Sequence, residues 1–249
     1  MRTERRVDAW LVLLGAASLA AWSALAFGGG ELTLPAVCSA SPTGAVSFEL
    51  ALVLESPMKL AGDWSLMLAA MMLPVVVAPL AHVRQRSFAK RRPRAMLLFL
   101  AGYAAAWMTA GFGLQALALA LRWAMPAPLV CLGTAAAVAT AWQVSPCKQW
   151  CLNRCHRRPP LAAFGMTADR DAFDFGLTNG TACVGACWAL MLLPLFAGDN
   201  HLPAMIAFTL FVFAERLEGP AALAWRWRGP GRALRIIVAH ARMPLAARN

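Results

Sequence analysis

The chain has 249 residues, 60% of them hydrophobic and only 14% charged, with a mean hydropathy of +0.57, whereas soluble domains carry about 25% charged residues. Its net charge is +11, but the basic residues sit in short runs beside long apolar ones. That pattern excludes an ordinary soluble domain and argues against a nucleic-acid surface, because it is how the positive-inside rule writes membrane topology.

In chain order, a start bearing Arg2, Arg5 and Arg6 leads into an apolar run near 7–27, long enough to cross a bilayer. A signal peptide has the same outline, but Phe27-Gly-Gly-Gly is a poor small-x-small cleavage site, so a retained first helix is expected. The stretch 28–63 is less apolar, holds Pro35, Pro42, Pro57 and a lone Cys38, and reads as an extracytoplasmic loop with a short interfacial helix near 47–54. A second span is expected at 64–83, with Pro74 and Pro79 inside it. Met67 and Met71 share its face, with Met72 alongside, as gap-filling core or as thioether donors. Arg84–Arg94 has six basic residues and no acid and reads as a cytoplasmic loop. His82, before it, reads as a polar residue at the membrane edge.

The third span, 95–121, carries Gly102, Ala106 and Ala110 on one face, a stripe that lets helices approach closely. The fourth, 127–144, contains Cys131, read as packing. The segment 146–175 returns inside with Lys148, Arg154, Arg157, Arg158 and Arg170. Its last part, 164–175, reads as an amphipathic interfacial piece bearing Asp169, Asp171 and Asp174. The fifth span is expected at 176–197 and a short sixth at 204–217. Glu215 at the end of the sixth is expected to pair with Arg216 or with an arginine of the basic tail, 221–249. The tail is amphipathic around 233–240 and suits the surface of an anionic bilayer. With this topology 21 of the 23 Lys and Arg lie inside. The expected fold class is therefore all-α: a polytopic membrane helical bundle of about six transmembrane helices, in one membrane-embedded domain over 1–220, with both termini cytoplasmic.

Five of the seven cysteines fall in two runs with the same spacing, Cys147-x3-Cys151-x3-Cys155 and Cys183-x3-Cys187, the second extended by Met191. A step of four residues turns an α-helix about 40° past a full revolution, so each run makes a sulfur stripe. The topology puts Cys183 at the same membrane side as the first run. Sulfur-only sites suit Cu(I), Zn(II) or an iron–sulfur cluster, while buried cysteine also packs as a small hydrophobe. His156 points about 100° away from Cys155 and reads as solvated among the arginines. Redox-active pairs are usually Cys-x-x-Cys, a spacing absent from the sequence.

Trp64-x2-Met67-x3-Met71-Met72-x-Pro74, Gln143-x3-Cys147-x3-Cys151-x3-Cys155, Gly180-x2-Cys183-x3-Cys187-Trp188-x2-Met191 and Glu215 together resemble a bacterial family described as predicted metal-binding integral membrane proteins, often labelled copper chaperones. The likeness runs from about Trp64 to Gly219. It implies a multi-span protein of the bacterial inner membrane with a soft-metal site. The matching ligand candidates are Met67, Met71, Met72, Cys151, Cys155, Cys183, Cys187 and Met191. Cys147 stands where the family often has leucine, and Ala186 and Asn200-His201 replace a cysteine and a methionine of its pattern. The leading expectation is a Cu(I) binding or trafficking protein, with Zn(II) second, embedded in the lipid bilayer and passing metal to an accepting enzyme or chaperone. The alternatives are a structural membrane subunit whose cysteines only pack, and a membrane thiol–disulfide oxidoreductase.

Overall fold

The computed structural model describes residues 9–27, 57–125, 127–227, 229 and 231–246. Every regular element among them is helical: α1 (Ala9–Phe27), α2 (Pro57–Arg86), α3 (Arg92–Ala124), α4 (Pro128–Val144), α5 (Pro146–Cys155), α6 (Gly165–Phe196), a 3-10 turn (Gly198–Asn200), α7 (His201–Leu217) and α8 (Gly231–Ala246). Four of these, α1, α2, α3 and α6, are long and apolar enough to cross a membrane, and the pair α4 and α5, bent by 67° at their junction, makes a fifth if taken as one span. Cys38 and the helix expected near 47–54 lie outside the described residues.

Several boundaries differ from the sequence expectation. The second helix begins at Pro57, not at Trp64, since proline suits the first position of a helix, where its missing N–H costs nothing. Pro74 and Pro79 sit inside α2 without ending it. The interfacial piece expected at 164–175 is the first part of α6, a continuous helix of 32 residues. At about 1.5 Å per residue it is roughly 48 Å long, well beyond the ~30 Å of a bilayer's hydrocarbon core. Its acidic first turns are held by the preceding loop and α3: Asp169 pairs with Arg91 at 2.6 Å and with Arg94 at 2.7 Å, and carboxylates near a helix N-terminus are favoured by its dipole.

The core is built around α6. Its tightest partner is α3, and the closeness depends on missing side chains. A Cβ at Gly176 would run into the backbone of Phe99, one at Gly102 into the backbone of Phe173 and Leu177, and one at Gly180 into Ala106 and Tyr103. The small-residue stripe of the third helix is thus its seam with α6 at Gly102 and Ala106. Trp64, Met71, Phe99, Trp107, Met191 and Met205 fill the interior and are almost fully buried. The indole N–H of Trp64 donates to the Trp107 carbonyl at 3.0 Å, so α2 and α3 are joined by a satisfied polar contact inside an apolar core. On the other flank α1 packs on α2, where the Ser18 hydroxyl donates to the Ala70 carbonyl at 2.9 Å.

The helix α4 presents Cys131, Ala135, Ala139 and Gln143 inward at four-residue steps. Ser145 ends it in extended backbone and caps α5, accepting from the Lys148 backbone N–H at 3.1 Å, with Pro146 opening the new helix. An N-cap serine followed by proline is a strong local helix start, and it turns the cysteine-bearing helix sharply across the end of the bundle. After α7 the chain folds back over this bend: the Arg226 N–H donates to the Val144 carbonyl at 3.1 Å. The Asn153 side chain takes both polar groups of Ala221, accepting from its N–H at 3.0 Å and donating to its carbonyl at 2.8 Å.

Candidate metal centre

The first cysteine run is graded by depth. Cys147 is exposed, Cys151 intermediate and Cys155 buried. Two steps of four residues accumulate about 80° of rotation on a helix, and the buried face of α5 bears Lys148, Gln149, Leu152 and Cys155, so Cys151 and Cys147 turn progressively away from it. The second run is wholly interior, with Cys183 at 0% and Cys187 at 1% exposure. None of these thiols is in a disulfide.

The two runs do meet. A Cβ at Gly185 would strike the sulfur of Cys151, so glycine at this position on α6 makes room for the α5 thiol. The same turn is held from α4 by the Trp142 indole, which donates to the Gly185 carbonyl at 2.9 Å. One turn further along α5, Cys155 is buried, and its carbonyl accepts from the Asn179 side-chain amide of α6 at 3.4 Å. The Tyr103 hydroxyl of α3 donates to the Cys183 sulfur at 3.1 Å, and the Cys187 thiol donates to the Cys183 carbonyl at 3.0 Å. Trp107 borders Cys183 from the same α3 face. Its indole N–H is buried without a conventional acceptor.

The remaining expected donors lie in the same core. Met67, Met71 and Met72 of α2 are each at 2% exposure, and Met191 of α6 is at 0%. Cys147 stays apart from the buried thiols, and Cys131 packs, donating to the Met125 carbonyl at 2.9 Å. Among the described residues no three His, Cys, Asp or Glu side chains converge closely enough to hold a metal ion.

Three charged residues take specific positions here. Lys148 is not on the surface: its side chain is 4% exposed, and its ammonium lies 2.6 and 2.8 Å from the two carboxylate oxygens of Glu215. The Gln143 amide completes the arrangement by donating to Glu215. The expected pairing of Glu215 with Arg216 or the tail is therefore corrected. Neighbours in a helix point about 100° apart, so the side chain of Arg216 goes elsewhere. Its Nη2 is buried with no hydrogen-bond partner. The third is Arg158, in the chain after α5, which donates to the Cys155 carbonyl at 3.1 Å. Burial, helped by the charge of Arg216, pushes it below its ordinary value. His156 is also not among solvated arginines. Its Nδ1 lies 2.9 Å from the Leu152 carbonyl and its Nε2 3.3 Å from the Arg216 carbonyl, so it ties α5 to the end of α7. His82 likewise makes a specific contact, its Nε2 lying 2.9 Å from the Pro159 carbonyl.

A pocket of about 330 Å³ opens over the Lys148–Glu215 pair, lined also by Gln143, Gln149, Glu218 and Arg226. The expected donors are soft, since they are sulfurs, and the Glu215 carboxylate is already paired. Such donors suit a soft metal ion.

A family model, PpoB2, described as a copper chaperone, matches residues 61–238. The chain belongs to this copper chaperone family. No curated protein and no solved structure matches it.

Proposed function

We propose that the protein is an integral protein of the bacterial cytoplasmic membrane that binds Cu(I) and hands it to a partner. Six helices cross the bilayer in this reading, and both termini and α5 are on the cytoplasmic side. The observation that carries it is the contact between the two cysteine runs, where the Cys151 sulfur of α5 lies against Gly185 of α6, between Cys183 and Cys187, which are buried and free of disulfides. The family's description as a copper chaperone supports the same metal.

Cu(I) is satisfied by two thiolates, so the lack of a three-ligand cluster among the described residues does not oppose it. Copper is cargo here. Cys183 is the anchor, with Cys187 and Cys155 as its companions. Cys151, nearer the surface, receives or releases the ion by ligand exchange. Met191, with Met67, Met71 and Met72, supplies thioethers to the same core. Because α5 lies across the bundle end, a metal-accepting enzyme or chaperone could exchange ligands with Cys151 without entering the bundle.

The test is direct. Purified protein in detergent and reductant is loaded with Cu(I), and bound copper is counted for the wild type and for Cys183→Ser with Cys187→Ser. Copper bound by the wild type and none by the double variant is the expected result. Equal copper in both forms, or none in either, defeats the proposal. Quinone-dependent disulfide formation without copper binding would replace it with a thiol oxidoreductase.

A further inference from the structure

We propose that the exposed patch of Phe88, Phe164 and Met166 is the docking surface for a soluble cytoplasmic protein whose own face is apolar at its centre and acidic at its rim. The inference rests on the membrane topology of the proposed function and adds to it the place where a partner sits.

Phe88 follows the end of α2, and Phe164 immediately precedes α6. Their ring centroids are 5.0 Å apart, which pins the loop between α2 and α3 to the start of α6. The contact still leaves Phe88 53%, Phe164 70% and Met166 86% exposed. Single exposed apolar side chains are ordinary, whereas a group of them ringed by polar residues marks an interaction site. Lipid does not reach this group. Over 175–196, α6 has no charged residue, and at about 1.5 Å per residue this stretch is roughly 33 Å long, close to the thickness of a hydrocarbon core. The turns before it, 165–174, carry Asp169, Arg170, Asp171 and Asp174 and extend roughly 15 Å further. The headgroup layer takes up about 5–8 Å of that, and a tilt of about 20° shortens it by less than a tenth. Phe88 is at the same height, since Arg91 of its loop pairs with Asp169. The patch therefore stands in water beyond the headgroups.

The rim identifies the chemistry of the partner. Arg86 and Lys90 flank Phe88 two residues to either side, and both are exposed. None of the described ion pairs includes either of them. The acids of this end are already engaged: Asp169 by Arg91 and Arg94, Asp171 by the Ala162 backbone N–H at 2.8 Å, and Asp174 by Arg170 at 3.4 Å. The surface around the rings thus offers cations and calls for carboxylates opposite them. Aromatic residues, methionine and arginine are also the side chains enriched where proteins meet. A second copy of this chain would bring the same cations face to face, which like charge opposes. The patch is at the end of the bundle where the chain leaves α5, since His82 of α2 is in contact with the Pro159 carbonyl at 2.9 Å. A partner seated here is at the same end as Cys151.

The test places the photo-crosslinking residue benzoylphenylalanine at Phe164, and separately at Met166, of the full chain in living cells. Leu210, exposed on α7, is the lipid-facing control position. After irradiation the adducts are purified and the joined peptides identified by mass spectrometry. The expected result is one soluble cytoplasmic protein at both positions, joined through a segment flanked by Asp and Glu, and absent from the control. Arg86→Glu with Lys90→Glu should cut its yield about tenfold, because charges at the rim of an interface steer encounter, with the thermal midpoint unchanged. Adducts with lipid alone, adducts with a second copy alone, or no adduct overturn the proposal, as does a yield that charge reversal leaves unaltered. A partner from the opposite side of the membrane overturns it together with the topology. Bound copper counted on Phe164→Ser with Met166→Ser keeps the two readings apart. It is expected to equal that of the wild type, and its loss would make the patch part of the metal site and overturn the proposal. A wild type that binds no copper defeats the copper reading and leaves a crosslinked partner standing.

Discussion

Lys148 shows how a charged residue is misplaced by reading the sequence alone. It stands in a polar run between Cys147 and Cys151, which suggests a solvated face, yet it is buried because Glu215, 67 positions later, meets it. The same distance in sequence hides Arg216. The sulfurs were legible because a four-residue spacing is local, whereas the burial of a cation depends on what a distant helix brings. Removing one member of a buried pair costs about 3–5 kcal/mol, and replacing both by apolar groups costs far less. Thermal unfolding in detergent should therefore rank Glu215→Leu and Lys148→Met as each strongly destabilising, and their combination as closer to wild type. A double variant as unstable as the sum of the singles would show that the two side chains do not depend on each other. The depth gradient of the first run gives a second expectation. A water-soluble maleimide should label Cys147 fastest, Cys151 more slowly, and Cys155, Cys183 and Cys187 only after unfolding, since exposure controls access to a thiol. Rapid labelling of Cys183 in the folded protein would contradict its burial.

The helices themselves were mostly legible, because long apolar runs and basic loops are strong signals. Their ends were not. The expected interfacial piece at 164–175 and the fifth span are one helix, since nothing between Phe175 and Gly176 breaks it and the Asp169 pairs with Arg91 and Arg94 stabilise its outer turns. The glycines that opened the expected span are instead its seam with α3. Gly176→Leu forces a side chain against the Phe99 backbone, and overpacking of this kind costs about 1–3 kcal/mol. The variant should unfold at a lower temperature, and suppression by a compensating change is not expected, because the obstacle is main chain. Gly185→Ala is the more informative change for function. Its methyl group meets the Cys151 sulfur, so it should make Cys151 react faster with maleimide and slow copper transfer to an acceptor while leaving the helices intact. Unaltered Cys151 reactivity would mean that α5 shifts as a unit to absorb the methyl.

For the molecule as a whole, composition and charge distribution already indicated a helical assembly, and the helices bear that out. Length and apolarity alone support four spans, or five with the bent pair. The six-span topology turns on α4 and α7, which have 17 residues each and are near the lower limit of about 17 for crossing a bilayer. Reporter fusions test it. Alkaline phosphatase fused after Lys90 should be inactive and after Asn200 active, and activity at the first position or inactivity at the second would reverse or reduce the topology. The basic tail makes a further contribution at this scale. The helix α8 exposes Leu234, Ile236 and Val238 together with Arg232 and Arg235, a combination that suits an anionic lipid surface.

The Lys148–Glu215 pair has one more consequence, which concerns time. A ribosome makes the chain from the first residue onward, and early parts begin to fold before late ones exist. The cysteines of α5 and α6 are synthesised well before residue 215. Until then Lys148 has no carboxylate to enter the core with, and its hydration opposes the seating of α5. The seating of α5 is therefore completed by α7, which delivers Glu215 to Lys148. A ribosome-bound chain stopped before α7 would carry all five cysteines of the two runs with α5 not yet held in place.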